Sequence, residues 1–175
     1  MLAGLIAHIF LIGKLFAFLG FGSNNRAFYK VIVRMAYGVL AFGLIFSVIG
    51  TILGGIWAND SWGRFWGWDP KENGALLICL VQAAILHGRM GGFLRDFGIC
   101  LWAVIGNIVV AFSWFHVNLL GLGLHNYGFD ADLYRNLVVF YGIESVVIIA
   151  GLVAWLMDRV RRNALSQGGT GVGAA

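Results

Sequence analysis

The chain is 175 residues long, 60% hydrophobic and only 11% charged, with a mean hydropathy of +0.85. That much apolar surface cannot be enclosed around one water-soluble core, so an integral membrane protein is implied. The net charge of +4 resides largely in loops between apolar stretches, which suits a membrane surface and excludes nucleic-acid binding as its explanation.

In chain order, five apolar stretches appear at residues 2–20, 35–57, 73–88, 97–117 and 136–157. Each is near the ~20 residues that a bilayer demands of a helix. The abundant glycines and the single proline fit close-packed helices, whereas a β-barrel would show short alternating segments. The predicted fold is therefore all-α, a polytopic transmembrane bundle of about five spans.

The third stretch is short unless its helix starts earlier. Asp69 suits an N-cap, Pro70 the first helical position and Glu72 the third, a capping-box pattern. Helix three is thus expected over 70–89, and the others over 2–20, 35–57, 97–117 and 134–157. Together they make a membrane domain of residues 1–162, followed by a flexible Gly-rich cytoplasmic tail at 163–175.

Eight basic residues, Arg26, Lys30, Arg34, Arg89, Arg95, Arg159, Arg161 and Arg162, fall on one side of the predicted spans. Only Arg64, Lys71 and Arg135 fall on the other. The positive-inside rule then puts the Trp-rich loop and the N-terminus outside and the C-terminus in the cytoplasm. The first residues lack the basic flank and cleavage site of a signal peptide. Cys79 and Cys100 lie in different predicted spans without a CxxC or CxxCH pattern, so both read as packing residues.

Two ionisable side chains, Lys14 and Glu144, fall within predicted spans at similar depths, ~20 Å and ~18 Å from the outer ends. They could pair. Alternatively, Lys14 reaches the inner headgroups and Glu144 is protonated or hydrogen-bonded to a neighbour such as Asn107.

The stretch SWGRFWGWDPKENGALL, residues 61–77, sets three tryptophans among charges just before an apolar run. Trp62, Trp66 and Asp69 would share one face if this segment were helical. An aromatic belt at headgroup level accounts for such tryptophans by residue type alone. Histidines supply a second reading, because imidazole ligates haem iron and a planar macrocycle suits a floor of rings.

His125, in GLGLHNYGF, lies on the same predicted side as the Trp-rich segment and is the favoured ligand. His116, at the outer end of helix four, is a reserve ligand whose default role is interfacial packing. His87 lies ~27 Å from Asp69 by helical rise and cannot share a site with His125. His8 lies ~10 Å along helix one, where an outer ligand and interior packing are equally open.

The motif WGRFWGWDPKE resembles the WWD signature of haem-handling membrane proteins, and LHGR with VNLLGLGLHNYGF resembles the CcsA/ResC branch. The likeness spans roughly residues 50–130. It implies cytochrome c biogenesis of the system II type, in which haem b is bound non-covalently in transit at an external WWD site. There it is presented for thioether attachment to the CxxCH of apocytochrome c. It also implies a ResB-like membrane partner in the bacterial cytoplasmic membrane and a place in a holocytochrome c synthase, or haem lyase, complex.

Carried over by motif, Trp62, Gly63, Trp66, Trp68 and Asp69 match the haem platform, His125 the external ligand and His87 the membrane histidine near the inner face. His8 occupies the place of the second external iron ligand. The related CcmC and CcmF families offer the alternative of a haem exporter or chaperone. A structural subunit of a larger membrane complex is the third reading.

Overall fold

The computed structural model describes residues 1–21, 25–126 and 132–168, the last four of these by backbone alone. Five α-helices make up almost all of it: α1 (Leu2–Phe18), α2 (Arg26–Trp62), α3 (Pro70–Met90), α4 (Asp96–Trp114) and α5 (Leu133–Gly168). A 3₁₀ turn over His116–Leu120 follows α4, and no strand occurs among the described residues. The all-α bundle read from the sequence is the fold. Four of the helical segments are long and apolar enough to cross a membrane, and α1 is a shorter apolar helix.

The boundaries differ from expectation where polar residues extend a helix past its apolar stretch. α2 begins at Arg26, not 35, because Asn25 caps it by accepting hydrogen bonds from the Ala27 and Phe28 N–H groups. It runs on to Trp62, where Gly63, at φ +70°, ends it in the left-handed conformation. α5 continues through residues 158–168, so the first part of the predicted tail is helical. Residues 169–175 of that tail lie outside the described residues, as do Tyr127, Gly128 and Phe129 of the GLGLHNYGF motif.

α4 is the hub, packing against α1, α2, α3 and α5. Its inward face, Ile99, Cys100, Ala103, Val104 and Asn107, is buried against Ala3, Ala7, Phe10 and Leu11 of α1. Both cysteines are free thiols. The outer faces of α2 and α5 leave Phe42, Ile45, Phe46, Val146 and Ile149 exposed, the inside-out distribution that lipid contact permits.

Glu144 is buried at the centre of the bundle, but its partner is not Lys14. The Asn107 amide donates to Glu144 Oε1 at 3.1 Å, and His8 Nε2 lies 3.3 Å from Glu144 Oε2. The Lys14 ammonium instead sits 4.2 Å from the centre of the Tyr29 ring, in cation–π contact. The two are not at equal depth: Glu144 lies level with His8, about a turn and a half before Lys14 on α1, and Lys14 lies further along, in a cavity also lined by Ala154 and Asp158. The two side chains therefore meet different neighbours.

Candidate functional site

The connection from α2 to α3 is short and non-helical over residues 63–69. Trp62, Trp66 and Asp69 therefore do not share a helical face. Gly63 turns the chain out of α2, and Pro70 restricts Asp69 to an extended conformation at φ −72°, ψ 163°. Trp68 is the only non-glycine residue with positive φ, at +60°, among those described.

The first turn of α3 pins this segment. Asp69 Oδ1 accepts the Glu72 N–H at 3.0 Å, closing the cap that the sequence predicted. Glu72 Oε2 reaches back and accepts the N–H groups of Gly67 at 2.7 Å and Asp69 at 3.2 Å. The Asn73 amide donates to the Trp68 carbonyl at 3.0 Å. The Lys71 ammonium donates to the Trp114 carbonyl, tying the start of α3 to the end of α4.

His125 completes the site from the far side of α4. Its Nδ1 lies 2.5 Å from Asp69 Oδ2. The two oxygens of Asp69 thus serve two masters: one caps α3 and the other holds the imidazole. When Nδ1–H donates to that carboxylate, Nε2 is the nitrogen left for a ligand. The Trp62 ring meets the imidazole edge to face, with centroids 4.7 Å apart and planes at 83°. Trp57 packs against Trp62, and Trp66 against Trp68, in the same T-shaped manner.

Close approach of the 121–125 loop requires Gly123. It has φ +83°, and a Cβ there would fall 2.6 Å from Asp69 Cβ. Burial opposes the charged form of Asp69. Hydrogen bonds from His125 and the Glu72 N–H, with the nearby His125 charge, outweigh that cost and hold its carboxyl below the usual range. Arg64 Nη2 adds a more distant cation, 4.0 Å from Asp69 Oδ2.

Asp69, Glu72 and His125 offer ligand atoms within 4.8 Å of one another, a spacing that could suit a small cation. Their hydrogen bonds already account for the cluster: both Asp69 oxygens and Glu72 Oε2 are engaged. The arrangement reads as an orienting network for the imidazole.

Beside this network lies a cavity of about 640 Å³ between α2 and α3, lined in part by Gly50, Gly54, Phe65, Trp66, Glu72 and His125. Gly50 and Gly54 have open space where a Cβ would stand. Trp66 has its indole N–H buried without an acceptor among the described residues. A cavity with small residues, aromatic walls, a spare N–H donor and one oriented imidazole fits a haem, whose ring is apolar and whose edge bears carboxylates.

The other histidines are elsewhere. His8 donates through Nδ1 to the Gly4 carbonyl at 2.7 Å and faces Glu144, so it is not brought to the Trp-rich segment. His116 is stacked on Phe112 and lies beside Tyr141, off the cavity wall. His87 sits in the last turn of α3, at the other end of the bundle from His125, with Nδ1 bonded to the Ala83 carbonyl. Sequence reading missed Gly123, Arg64 and the double grip of Glu72. The glycine-rich run before His125 was the available signal for the first.

The sequence model of the family described as Cytochrome C assembly protein matches residues 1–125. Among curated relatives, the chain is 41% identical over 111 residues to cytochrome c biogenesis protein CcsA of Lotus japonicus, covering 61% of this chain and 34% of that protein. It is 45% identical over 94 residues to CcsA of Synechococcus sp. strain CC9902, covering 54% and 31% respectively. For CcsA of Daucus carota the identity is 36% over 129 residues, covering 71% and 40%. The chain spans about a third of the length of most of these relatives. With the family match running from α1 through to His125, the chain belongs to the cytochrome c assembly protein family.

Proposed function

We propose that this chain carries the outer haem site of a CcsA/ResC-type cytochrome c biogenesis protein. The observation that carries the reading is the clamp on His125: its Nδ1 is fixed 2.5 Å from Asp69 and its ring lies against Trp62, beside an aromatic cavity. Such a clamp sets the tautomer, raises the basicity of Nε2 and aims it, the usual work of a carboxylate behind a metal-bound histidine. His125 would ligate the iron, Trp62, Trp66 and Trp68 would form the aromatic floor, and Gly63 would turn the chain across it. Haem b, held non-covalently, is then cargo for thioether attachment to apocytochrome c.

The chain's contribution is positioning: it holds the macrocycle by ring contact and apolar burial and leaves its edge accessible to a client. His87 would act at the inner face. A ResB-like partner, the bacterial cytoplasmic membrane and an external Trp-rich segment complete the proposal. A cysteine placed in that segment should react with an impermeant thiol reagent from outside, and one after Arg162 only after permeabilisation.

The deciding experiment reconstitutes the chain with its partner and an apocytochrome and scores covalent haem. Covalent haem dependent on His125 is the expected result. Haem delivered without thioether bonds points to the exporter of the CcmC/CcmF type. Purification with no Soret absorbance even with the partner points to a structural subunit.

A further inference from the structure

We propose that the end of the bundle opposite the Trp-rich segment holds an anionic phospholipid. A cavity of about 930 Å³ opens there, and all five helices contribute to its wall. Seven cationic and two anionic side chains line it. Both anions are engaged: Arg89 pairs with Asp96 at 3.1 Å, and Arg162 pairs with Asp158. That leaves Arg26, Lys30, Arg95 and Arg161 without a carboxylate partner among the described residues.

Cations gathered around one cavity repel one another, and the repulsion is stronger beside a low-dielectric bundle than in free water. An anion seated among them relieves it. The same cavity has an apolar wall, for Phe97 and Trp155 stack at 5.5 Å with planes 14° apart, and Phe10 packs edge-on to Tyr29 at 5.4 Å. Charged rim and aromatic wall together call for an amphiphilic anion.

Position selects the kind. Arg26 opens α2, Arg89 lies in the last turn of α3 and Arg95 immediately precedes α4, so the cations stand where the spans end. This is the level of lipid headgroups, where guanidinium groups match phosphate oxygens and basic pockets between helices hold anionic lipids. The phosphodiester would sit among Arg26, Lys30, Arg95 and Arg161, with its glycerol and acyl chains against Phe97 and Trp155.

The test uses the chain purified with its partner and phosphatidylglycerol as the probe. Native mass spectrometry of the complex from vesicles of phosphatidylcholine doped with phosphatidylglycerol should show the anionic lipid retained preferentially. The double variant Arg26→Gln, Arg161→Gln should lower that retention about tenfold or more, whereas Arg135→Gln, at the other end, leaves it unchanged. Retention unaffected by the double variant, or equally lowered by Arg135→Gln, overturns the proposal.

Should the double variant not fold, a photoreactive phosphatidylglycerol on the unaltered complex gives the answer. Labelling of segments 26–30 and 151–162, competed by phosphatidylglycerol but not by inorganic phosphate, is the expected pattern. Labelling elsewhere, or competition by haem in place of lipid, overturns it. His125→Ala leaves lipid retention intact, so failure of the outer haem site is read separately.

Discussion

Asp69 and His125, 56 residues apart in sequence, are joined by a 2.5 Å hydrogen bond from the imidazole Nδ1 to a carboxylate oxygen whose twin caps α3. Substitutions at 69 can separate these two duties. Asn and Ser both cap helices well, whereas Ala costs about 1 kcal/mol. Asp69→Ser should therefore keep the cap, leaving the haem-free protein more stable than Asp69→Ala, and still lower haem affinity ~10–100-fold, the usual effect of losing a supporting carboxylate. Asp69→Ala should lose both. Equal haem affinity in Asp69→Ser and the unaltered protein would release Asp69 from the site.

His125→Ala should lower co-purified haem at least as far, and added imidazole should restore it by filling the vacated position. The absorption spectrum is the readout. An unchanged spectrum in the variant would remove His125 from the iron.

Acid should act through Asp69. A carboxyl whose folded-state value lies below its unfolded value, ~3.9, gives its full stabilisation above that value. The stabilisation is lost as pH falls through the lower, folded value. In haem-free protein, hydrogen exchange of residues 121–126 should thus show an acid loosening that sets in only below about pH 4. Asp69→Ala should lack that acid step, and a step centred near neutrality would implicate another group.

Gly123→Ala forces a Cβ to 2.6 Å from Asp69 Cβ at a left-handed φ. The backbone alone costs about 1–2 kcal/mol, and the clash must move the loop. Haem retention should fall, and imidazole should restore it less well than in His125→Ala, because the displaced loop still carries its own histidine. Full retention in Gly123→Ala would mean that the loop can dock without this close approach.

The interior cluster predicts couplings. Glu144→Gln and His8→Phe should each destabilise and should be non-additive by roughly 0.5–3 kcal/mol, as contacting residues are. Lys14→Met combined with Glu144→Gln should be additive, since Lys14 lies over the Tyr29 ring and Glu144 against His8 and Asn107. Denaturation of the four proteins of each cycle gives the coupling directly.

What could be read from the sequence was what is encoded locally. The start of α3 was legible to the residue, because cap, proline and returning glutamate occupy four consecutive positions. The start of α2 was not, because Lys30 and Arg34 interrupt the apolar run although a helix tolerates them readily outside the bilayer. Helical spacing suggested one face for Trp62, Trp66 and Asp69, but Gly63 and Pro70 impose backbone conformations that override it.

Depth counted along each helix assumes that the helices start level. It matched Lys14 with Glu144, but the outer ends of α1 and α5 are not level, so Glu144 lies beside His8. The Asp69–His125 bond depends on how α4 returns the chain, which no local pattern expresses. His125 was reachable from its glycine-rich setting, its partner only from the fold.

Trp68 combines a left-handed backbone with an indole that is 67% exposed. For an L-residue that conformation costs about 1–2 kcal/mol, which glycine would not incur. Trp68→Gly should therefore raise the melting temperature of the haem-free chain while removing one ring from the aromatic floor. Selection for thermal tolerance alone would drift toward glycine at this position, and selection for cytochrome maturation would hold the tryptophan against it, a trade between endurance and task concentrated in a single residue.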